Sequence, residues 1–190
     1  MLAEVRKDVQ VRVVIDIEQN PALMQVLNSF NPELAKSIIN ARQEGTNTAL
    51  AIKEALDEKA LVTILVDRAR PGNTVVEADF LGRPAPFPAA PWQLAAALKA
   101  PVVLCFGLYR GGNRYDLHFE TFAETLTMDR REREASLRRI VQRYAGRLEH
   151  YTRSAPYNWF NFYDFWQPAP APASADDRSA AERGVGARRD

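Results

Sequence analysis

Short apolar runs alternate with helical stretches along residues 11–66, and this alternation constrains the fold more than any other feature of the sequence. The runs Val11–Ile17 and Leu61–Val66 are rich in β-branched residues and have the length of buried strands. A shorter run, Ser37–Asn40, lies between them, and apolar residues recur at helical spacing on either side of it. This order of elements is typical of a parallel sheet with helices packed on its faces. The sequence therefore predicts an α/β fold with a mostly parallel central sheet and flanking helices.

The second half of the chain adds strands of a different kind. Pro101–Arg110 is a second apolar run that we expect to be buried, and Gly111–Asn113 after it is typical of a hairpin turn. Tyr115, Leu117 and Phe119 then alternate with polar and charged residues, so we expect these three side chains to face the core. The pattern predicts an antiparallel strand at the edge of the sheet.

Helical signals enclose this pair of strands. Prolines exclude a regular helix from Leu81 to Pro88, and Pro91 then begins an Ala/Leu-rich helix that extends to about Lys99. A long helix is predicted from Asp129 to Tyr151, with an apolar stripe and many arginines. Those arginines either form a solvated face with glutamate partners or contact an anionic membrane or an acidic protein.

The residues after that helix are unusually aromatic. Seven of the twelve residues in Ala155–Trp166 are aromatic, against 9% for the whole chain. Such a segment either closes the core like a plug or forms an interfacial belt at the level of lipid headgroups. The Pro/Ala-rich residues 167–190 lack apolar mass, and we expect them to be a disordered tail that follows one domain over residues 1–166.

The composition excludes several classes of function. The net charge of the 190-residue chain is +1, so nothing draws it towards nucleic acid. Cys105 is the single cysteine and lies in an apolar run, which predicts a small buried side chain and no disulfide or thiolate metal cluster. We expect no metal site. No apolar run has the length of a membrane span, and the N-terminus does not have the pattern of a signal peptide.

The candidate binding residues follow the two apolar runs of the central sheet. Asp67, Arg68 and Arg70 come directly after Leu61–Val66, and Arg110 ends the run that begins at Pro101. Ligands of open α/β sheets bind beyond the carboxyl ends of the strands, and guanidinium groups suit phosphate or carboxylate. The alternative is an ordinary polar loop, in which Asp67 caps a turn and the arginines are solvated.

No catalytic motif accompanies these residues. The sequence has two histidines. His150 is expected to be a surface residue of the arginine-rich helix, and His118, on the polar face of the predicted edge strand, is expected to be structural or incidental. There is no G-x-S-x-G elbow, phosphate-binding loop, dinucleotide fingerprint or zinc spacing. The chain thus shows a binding loop without an evident base or nucleophile.

The order of these motifs resembles the bacterial lipid A biosynthesis acyltransferases, the lauroyl/myristoyl branch of the lysophospholipid acyltransferase superfamily. The resemblance extends from Val9 to Trp166. It is carried by the following stretches: Asp67 with its arginine-containing loop, Phe80-Leu81-Gly82 with the prolines after it, Tyr109-Arg110, and Pro156-Tyr157-Asn158-Trp159.

The resemblance implies the glycerolipid acyltransferase type of α/β fold. It also implies transfer of a fatty acyl chain from acyl carrier protein to a lipid hydroxyl, with no cofactor, at the cytoplasmic face of the inner membrane. In that family a His-x4-Asp/Glu motif supplies the catalytic pair, and neither histidine here belongs to one. The chain is therefore expected to be truncated at its N-terminus and inactive alone, with its catalytic residues unknown.

By motif position, Asp67, Arg68 and Arg70 correspond to the substrate loop of the family, and Arg70 is expected to contact a phosphate of the acceptor or of the phosphopantetheine. The loop departs from the commoner Asp-Gln-Asp form, which favours an acceptor other than lipid A. Two other interpretations stay open: a non-catalytic module that binds lipid or carrier protein, and another α/β transferase that acts on a diphosphate.

Overall fold

A computed structural model describes most of the chain: residues 9–17, 25, 29, 37–41, 45–69, 72–161 and 163–166. The chain divides into two compact units. Unit 1 comprises Met1–Val66 and Pro91–Ser136, and unit 2 comprises Asp67–Ala90 and Leu137–Asp190. The helix predicted after Asn20 lies outside the described residues except for Gln25 and Ser29, which are helical. The predicted disordered tail lies outside them entirely.

Helices and strands both occur along the described residues, so the α/β class is confirmed. The described strands are β1 (Val11–Ile15), β2 (Ile38–Asn40), β3 (Leu61–Ile64), β4 (Val75–Phe80), β5 (Arg83–Pro88), β6 (Val102–Tyr109) and β7 (Tyr115–Ala123). The described α-helices are α1 (Gly45–Asp57), α2 (Ala90–Leu98) and α3 (Arg133–Ser154), and a 3-10 turn follows at Pro156–Asn158.

Unit 1 contains the predicted parallel sheet. Its three described strands have the order β2-β1-β3, and both pairings with β1 are parallel. Ile39 of β2 and Ile52 of α1 form the centre of a small core, against which Leu94 and Leu98 of α2 also pack. The helical spacing of α1 and α2 thus places their apolar sides on the sheet, as predicted.

Burial of the strand before the candidate loop is less than predicted. Leu61 and Thr63 of β3 are exposed, and Leu65 just beyond the strand is 85% exposed. Only Val62 and Ile64 pack against the core that α1 covers. The prediction of a buried strand was therefore wrong for one of its two faces, because an apolar run does not reveal whether other elements cover both faces.

A second, antiparallel sheet of unit 1 consists of β6 and β7. The predicted turn is present, since Gly111 and Gly112 adopt positive φ and the Arg110 N–H donates to the Arg114 carbonyl over 3.0 Å. Among the described strands, β7 pairs only with β6, so it is not an edge strand of the parallel sheet. The predicted architecture needs this correction: the central sheet and the antiparallel pair are separate.

The face of β7 that is buried is the reverse of the predicted one. Tyr115, Leu117 and Phe119 are exposed, whereas His118 and Glu120 are half-buried. The buried side is shared with Leu104 and Leu108 of β6 and with Phe122. Because β6 is apolar on both faces, alternation in β7 alone could not determine which side would be covered.

Cys105 was predicted to be buried and is exposed. It lies opposite Phe119 in the β6–β7 register, on the outward face of the hairpin. Partial burial still raises the pKa of its thiol above the usual value.

Unit 2 is built on the β4–β5 hairpin, which joins Phe80 to Arg83 through a two-residue turn. Leu81 and Gly82 have φ values of 51° and 83°, the combination that a type I′ turn requires. Proline stands at every second position of β5, and each of these positions lacks the N–H that another strand would need. The prolines that exclude a helix are therefore compatible with an outer strand, which the sequence pattern did not predict.

Helix α3 packs its apolar stripe into unit 2. The long helix runs from Arg133 to Ser154, so it begins and ends slightly later than predicted. Its stripe is buried as expected, with Leu137, Val141, Tyr144, Leu148 and Tyr151 forming much of the core. The aromatic segment that follows is unevenly buried: Phe165 is buried, Trp159 and Trp166 are half-buried, and Tyr157, Phe160 and Tyr163 are exposed.

Candidate substrate-binding site

The loop after β3 places Asp67 and Arg68 at the start of unit 2. Asp67 is half-buried and Arg68 is exposed. Arg70, the residue that the sequence most favoured for contact with a phosphate, lies outside the described residues. The site can therefore be built from Asp67, Arg68 and their neighbours in unit 2.

The side chain of Arg68 lies on an aromatic ring. Its guanidinium carbon is 5.0 Å from the centroid of the Tyr163 ring, within the range of about 6 Å over which cation–π attraction acts. Burial raises the pKa of the Tyr163 hydroxyl, while the charge of Arg68 and a hydrogen bond from it act in the opposite direction. Arg68 is thus attached to the carboxyl-terminal aromatic segment.

Asp67 lies close enough to act electrostatically on two tyrosines. Burial raises the pKa of the Tyr144 hydroxyl far above its usual value, and the negative charge of Asp67 adds to that effect. The same carboxylate also raises the pKa of Tyr163. Both tyrosines therefore remain neutral hydrogen-bonding groups at physiological pH.

A cluster of packed aromatic rings lies next to these residues in unit 2. Phe165 is 4% exposed, and its ring centroid lies 5.3 Å from that of Phe80 and 5.7 Å from that of Phe87. Trp159 packs on both Phe80 and Phe165 at 5.2 and 5.1 Å. The aromatic segment was expected either to close the core or to form an interfacial belt, and Phe165 closes the core.

Arg83 is a residue of this site that sequence reasoning missed. Its guanidinium carbon lies 5.2 Å from the centroid of the Trp166 ring, the same kind of contact that Arg68 makes with Tyr163. The available signal was an arginine in the hairpin turn beside the Phe80-Leu81-Gly82 stretch. The segment from Tyr163 to Trp166 thus contacts one arginine at each of its ends.

Arg110 belongs to unit 1 and has a different environment. Its Nε donates to the Asp116 carboxylate over 2.7 Å, and both side chains are partly exposed. The positive charge of Arg110 is therefore paired with a carboxylate of its own hairpin. Arg68, in contrast, has an aromatic partner, and no carboxylate among the described residues forms an ion pair with it.

Asp16, the two histidines and the arginines of α3 are the other polar residues of interest. Asp16 directly follows β1 and is buried, and a carboxylate at the end of an apolar strand is the same signal that drew attention to Asp67. His118 is half-buried on β7, while His150 is exposed on α3, with its ring 5.1 Å from that of Tyr151. Of the helix arginines, Arg153 pairs with Glu149, and Arg147 lies over Tyr151.

The described residues contain neither a membrane-spanning helix nor a cluster that would hold a metal ion. None of the helices they form is both long and apolar enough to cross a bilayer. No three histidine, cysteine or acidic side chains converge there in a way that would hold a metal ion.

The contact of Arg68 with Tyr163 suits the binding of an anionic oxygen group. A guanidinium over the face of a ring keeps its N–H donors available for a carboxylate or phosphate. Tyr144 is 4% exposed and belongs to the core of unit 2. The arrangement is one for holding a substrate.

Comparison with known proteins assigns the chain to a family. The sequence model of the family described as bacterial lipid A biosynthesis acyltransferase matches residues 5–167, which include every described element. No curated protein matches the sequence. Because the family match spans nearly the whole chain and includes the loop at Asp67, the hairpin at Leu81 and the aromatic segment, the chain belongs to the bacterial lipid A biosynthesis acyltransferase family.

Proposed function

We propose that this chain carries the substrate-holding part of an acyltransferase that moves a fatty acyl group from acyl carrier protein to a lipid hydroxyl. The observation that carries the proposal is the family match over residues 5–167. The reaction breaks the thioester of the donor and forms an ester with the acceptor oxygen, whose proton must be removed by a base.

In this proposal the loop with Asp67, Arg68 and Arg70 binds the anionic part of the substrate. Arg110, in unit 1, is a separate candidate for contact with an anionic group, which would compete with Asp116 for its guanidinium. The contact of Arg68 with Tyr163 supports the assignment of the loop, since a guanidinium held by a ring is well suited to a phosphate. The phosphate belongs either to the phosphopantetheine of the donor or to the acceptor lipid. The acceptor reaches the protein at the cytoplasmic face of the inner membrane, where the protein acts peripherally, and neither metal nor nucleic acid takes part.

The isolated 190-residue chain binds substrate without transferring the acyl group. Neither His118 nor His150 has an acidic residue at the spacing of the His-x4-Asp/Glu motif, so the sequence contains no such pair. The motif would have to be supplied by residues outside this sequence. The same observation favours a second candidate function, a non-catalytic module that binds lipid or carrier protein.

The test measures transfer and binding separately. We expect the 190-residue chain to bind dodecanoyl acyl carrier protein in a pull-down and to give no acylated product with lipid vesicles. Transfer by this chain would contradict its inactivity and would show that His118 or another group serves as the base. Binding of a nucleotide sugar in place of the carrier protein would favour a diphosphate-using transferase.

A longer version that adds an upstream His-x4-acid segment distinguishes the enzyme from the non-catalytic module. We expect transfer in that version and a loss of about ten- to a hundredfold in rate for Arg70→Ala, since a charge-assisted contact to phosphate is removed. Asn73→Ala, in the same loop, is the control. Unchanged kinetics in Arg70→Ala would overturn the assignment of the loop.

A further inference from the structure

Tyr163 contacts Arg68 through its aromatic ring. The guanidinium carbon lies 5.0 Å from the centroid of that ring, within the range of cation–π attraction. Burial raises the pKa of the Tyr163 hydroxyl and the charge of Arg68 acts in the opposite direction, so the two side chains are also coupled electrostatically. The ring therefore restricts where the guanidinium can lie.

Tyr163 is itself held by the core of unit 2. Its ring centroid lies 6.2 Å from that of Phe165, whose side chain is buried among Phe80, Phe87 and Trp159. A displacement of Tyr163 would therefore disturb packed rings. The orientation of Arg68 depends, through Tyr163, on the most buried part of the unit.

The charge of Arg68 remains available to a ligand. Among the described residues no carboxylate forms an ion pair with it, although Arg12, Arg110 and Arg153 each have such a partner. A contact with the face of a ring consumes none of the five N–H donors of a guanidinium. These donors suit the paired oxygens of a phosphate.

We propose that Tyr163 is a positioning residue, which holds the Arg68 guanidinium in the orientation that receives a phosphate group of the substrate. The inference rests on the proposed function, in which Arg68 contacts that phosphate. A side chain that is ordered before binding loses less conformational freedom on binding, which corresponds to about two- to tenfold in affinity for one arginine. Tyr163 acts through Arg68 and does not itself touch the substrate.

The contact between Arg83 and Trp166 supplies an internal comparison. It is a contact of the same kind at a similar distance, 5.2 Å, and its aromatic residue lies three positions further along the same segment. A change at Tyr163 that merely loosened the whole segment would disturb both arginines. A change that acts through the proposed contact would disturb Arg68 and leave Arg83 as it is.

The experiment follows the side-chain Nε–Hε signals of the arginines by NMR in the full 190-residue chain, with the Arg68 signal assigned by its loss in Arg68→Lys. A ring below the guanidinium displaces this signal from the position of a free arginine. In Tyr163→Leu we expect the Arg68 signal to move towards the free position and the Arg83 signal to stay. Tyr163→Phe keeps the ring and should retain most of the displacement, and Tyr157→Leu, at a residue that is 91% exposed, should change neither signal.

Titrations with pantetheine 4′-phosphate and with a short-chain acylglycerol phosphate then distinguish the donor from the acceptor as the source of the phosphate. For the probe that binds, we expect Tyr163→Leu to raise the dissociation constant at Arg68 about two- to tenfold, with Tyr163→Phe in between. An unmoved Arg68 signal, or an unchanged dissociation constant, in Tyr163→Leu would overturn the inference.

The failure of the proposed function gives a different result. If neither phosphate probe perturbs Arg68 in the unmodified protein while Tyr163→Leu still displaces its signal, then Tyr163 does hold the arginine. That result would count against the substrate contact assigned to Arg68 and not against the positioning.

Discussion

The two described antiparallel hairpins, β4–β5 and β6–β7, have similar apolar content but differ in how much of it is buried. In unit 2, Phe80, Ala85 and Phe87 of the first hairpin are fully buried. In unit 1, the second hairpin buries Leu104 and Leu108 on one face and exposes Leu117 and Phe119 on the other. The difference lies in what covers them, since α3 and the aromatic segment lie against β4–β5.

Backbone groups on the outer edge of β4 also have hydrogen-bond partners. The Asp79 N–H donates to Oε1 of Gln142 over 2.8 Å, and Nε2 of Gln142 donates to the Asp79 carbonyl over 3.0 Å. The side-chain amide thus takes the place of a neighbouring strand, which protects an edge from pairing with another chain. At the turn, the Leu81 N–H donates to the Glu149 carboxylate over 2.8 Å. The buried side chains and these hydrogen bonds together hold β4–β5 in place beneath the candidate site.

The largest expected effect tests the buried face. Phe87→Ala removes a ring that is 0% exposed and contacts Phe80, Tyr144 and Phe165. We expect it to lower the free energy of unfolding by about 3–5 kcal/mol, because the cavity is only partly filled by relaxation. Urea denaturation followed by circular dichroism measures it, with Tyr157→Ala as an exposed control. A loss below about 1 kcal/mol would mean that the ring is not in a packed core.

The second-largest expected effect tests the hydrogen bonds that Gln142 makes to the outer edge of β4. Gln142→Ala removes both hydrogen bonds to Asp79 and should cost about 0.5–1.5 kcal/mol of unfolding free energy, because both bonds are exposed and water can replace the lost partner. Gln142→Glu keeps an acceptor for the Asp79 N–H but places a carboxylate against the Asp79 carbonyl, so it should not rescue the loss. If Gln142→Glu matches the unmodified protein at pH 7, the amide does not act as a substitute strand.

The parallel sheet could be predicted from the sequence, whereas the contacts of Gln142 with Asp79 and of Tyr163 with Arg68 could not. The parallel order of β1, β2 and β3 was predictable, because it follows from local periodicity and from the connections between neighbouring elements. Gln142 and Asp79 are 63 positions apart, and no local pattern indicates that they meet. The same holds for Tyr163 and Arg68: the loop was predicted from its strand, but its aromatic support comes from the far end of the chain.

A smaller effect tests the turn through its pH dependence. The pKa of Glu149 is lowered from its usual 4.5, first by the hydrogen bond from Arg153 and then by that from the Leu81 N–H. A lowered folded-state pKa stabilises the fold above the unfolded-state value, and this contribution is lost as the pH falls through the folded-state value. We therefore expect Glu149→Gln to have a lower Tm than the unmodified protein at pH 7, with a difference that shrinks below about pH 4.5. A difference that stays constant down to pH 3 would exclude the carboxylate as its cause.

The smallest effect tests the exposed hairpin. Phe119 is 55% exposed, so Phe119→Ala removes little buried area and leaves no enclosed cavity. We expect a loss of about 1 kcal/mol or less, several times smaller than that of Phe87→Ala, in the same urea titration. Cys105 lies opposite Phe119 in the register and is the single cysteine, so its rate of alkylation reports independently on access to this face. A loss as large as that of Phe87→Ala, together with a Cys105 that resists alkylation until the protein unfolds, would show that this face is covered in solution, and the contrast between the hairpins would disappear.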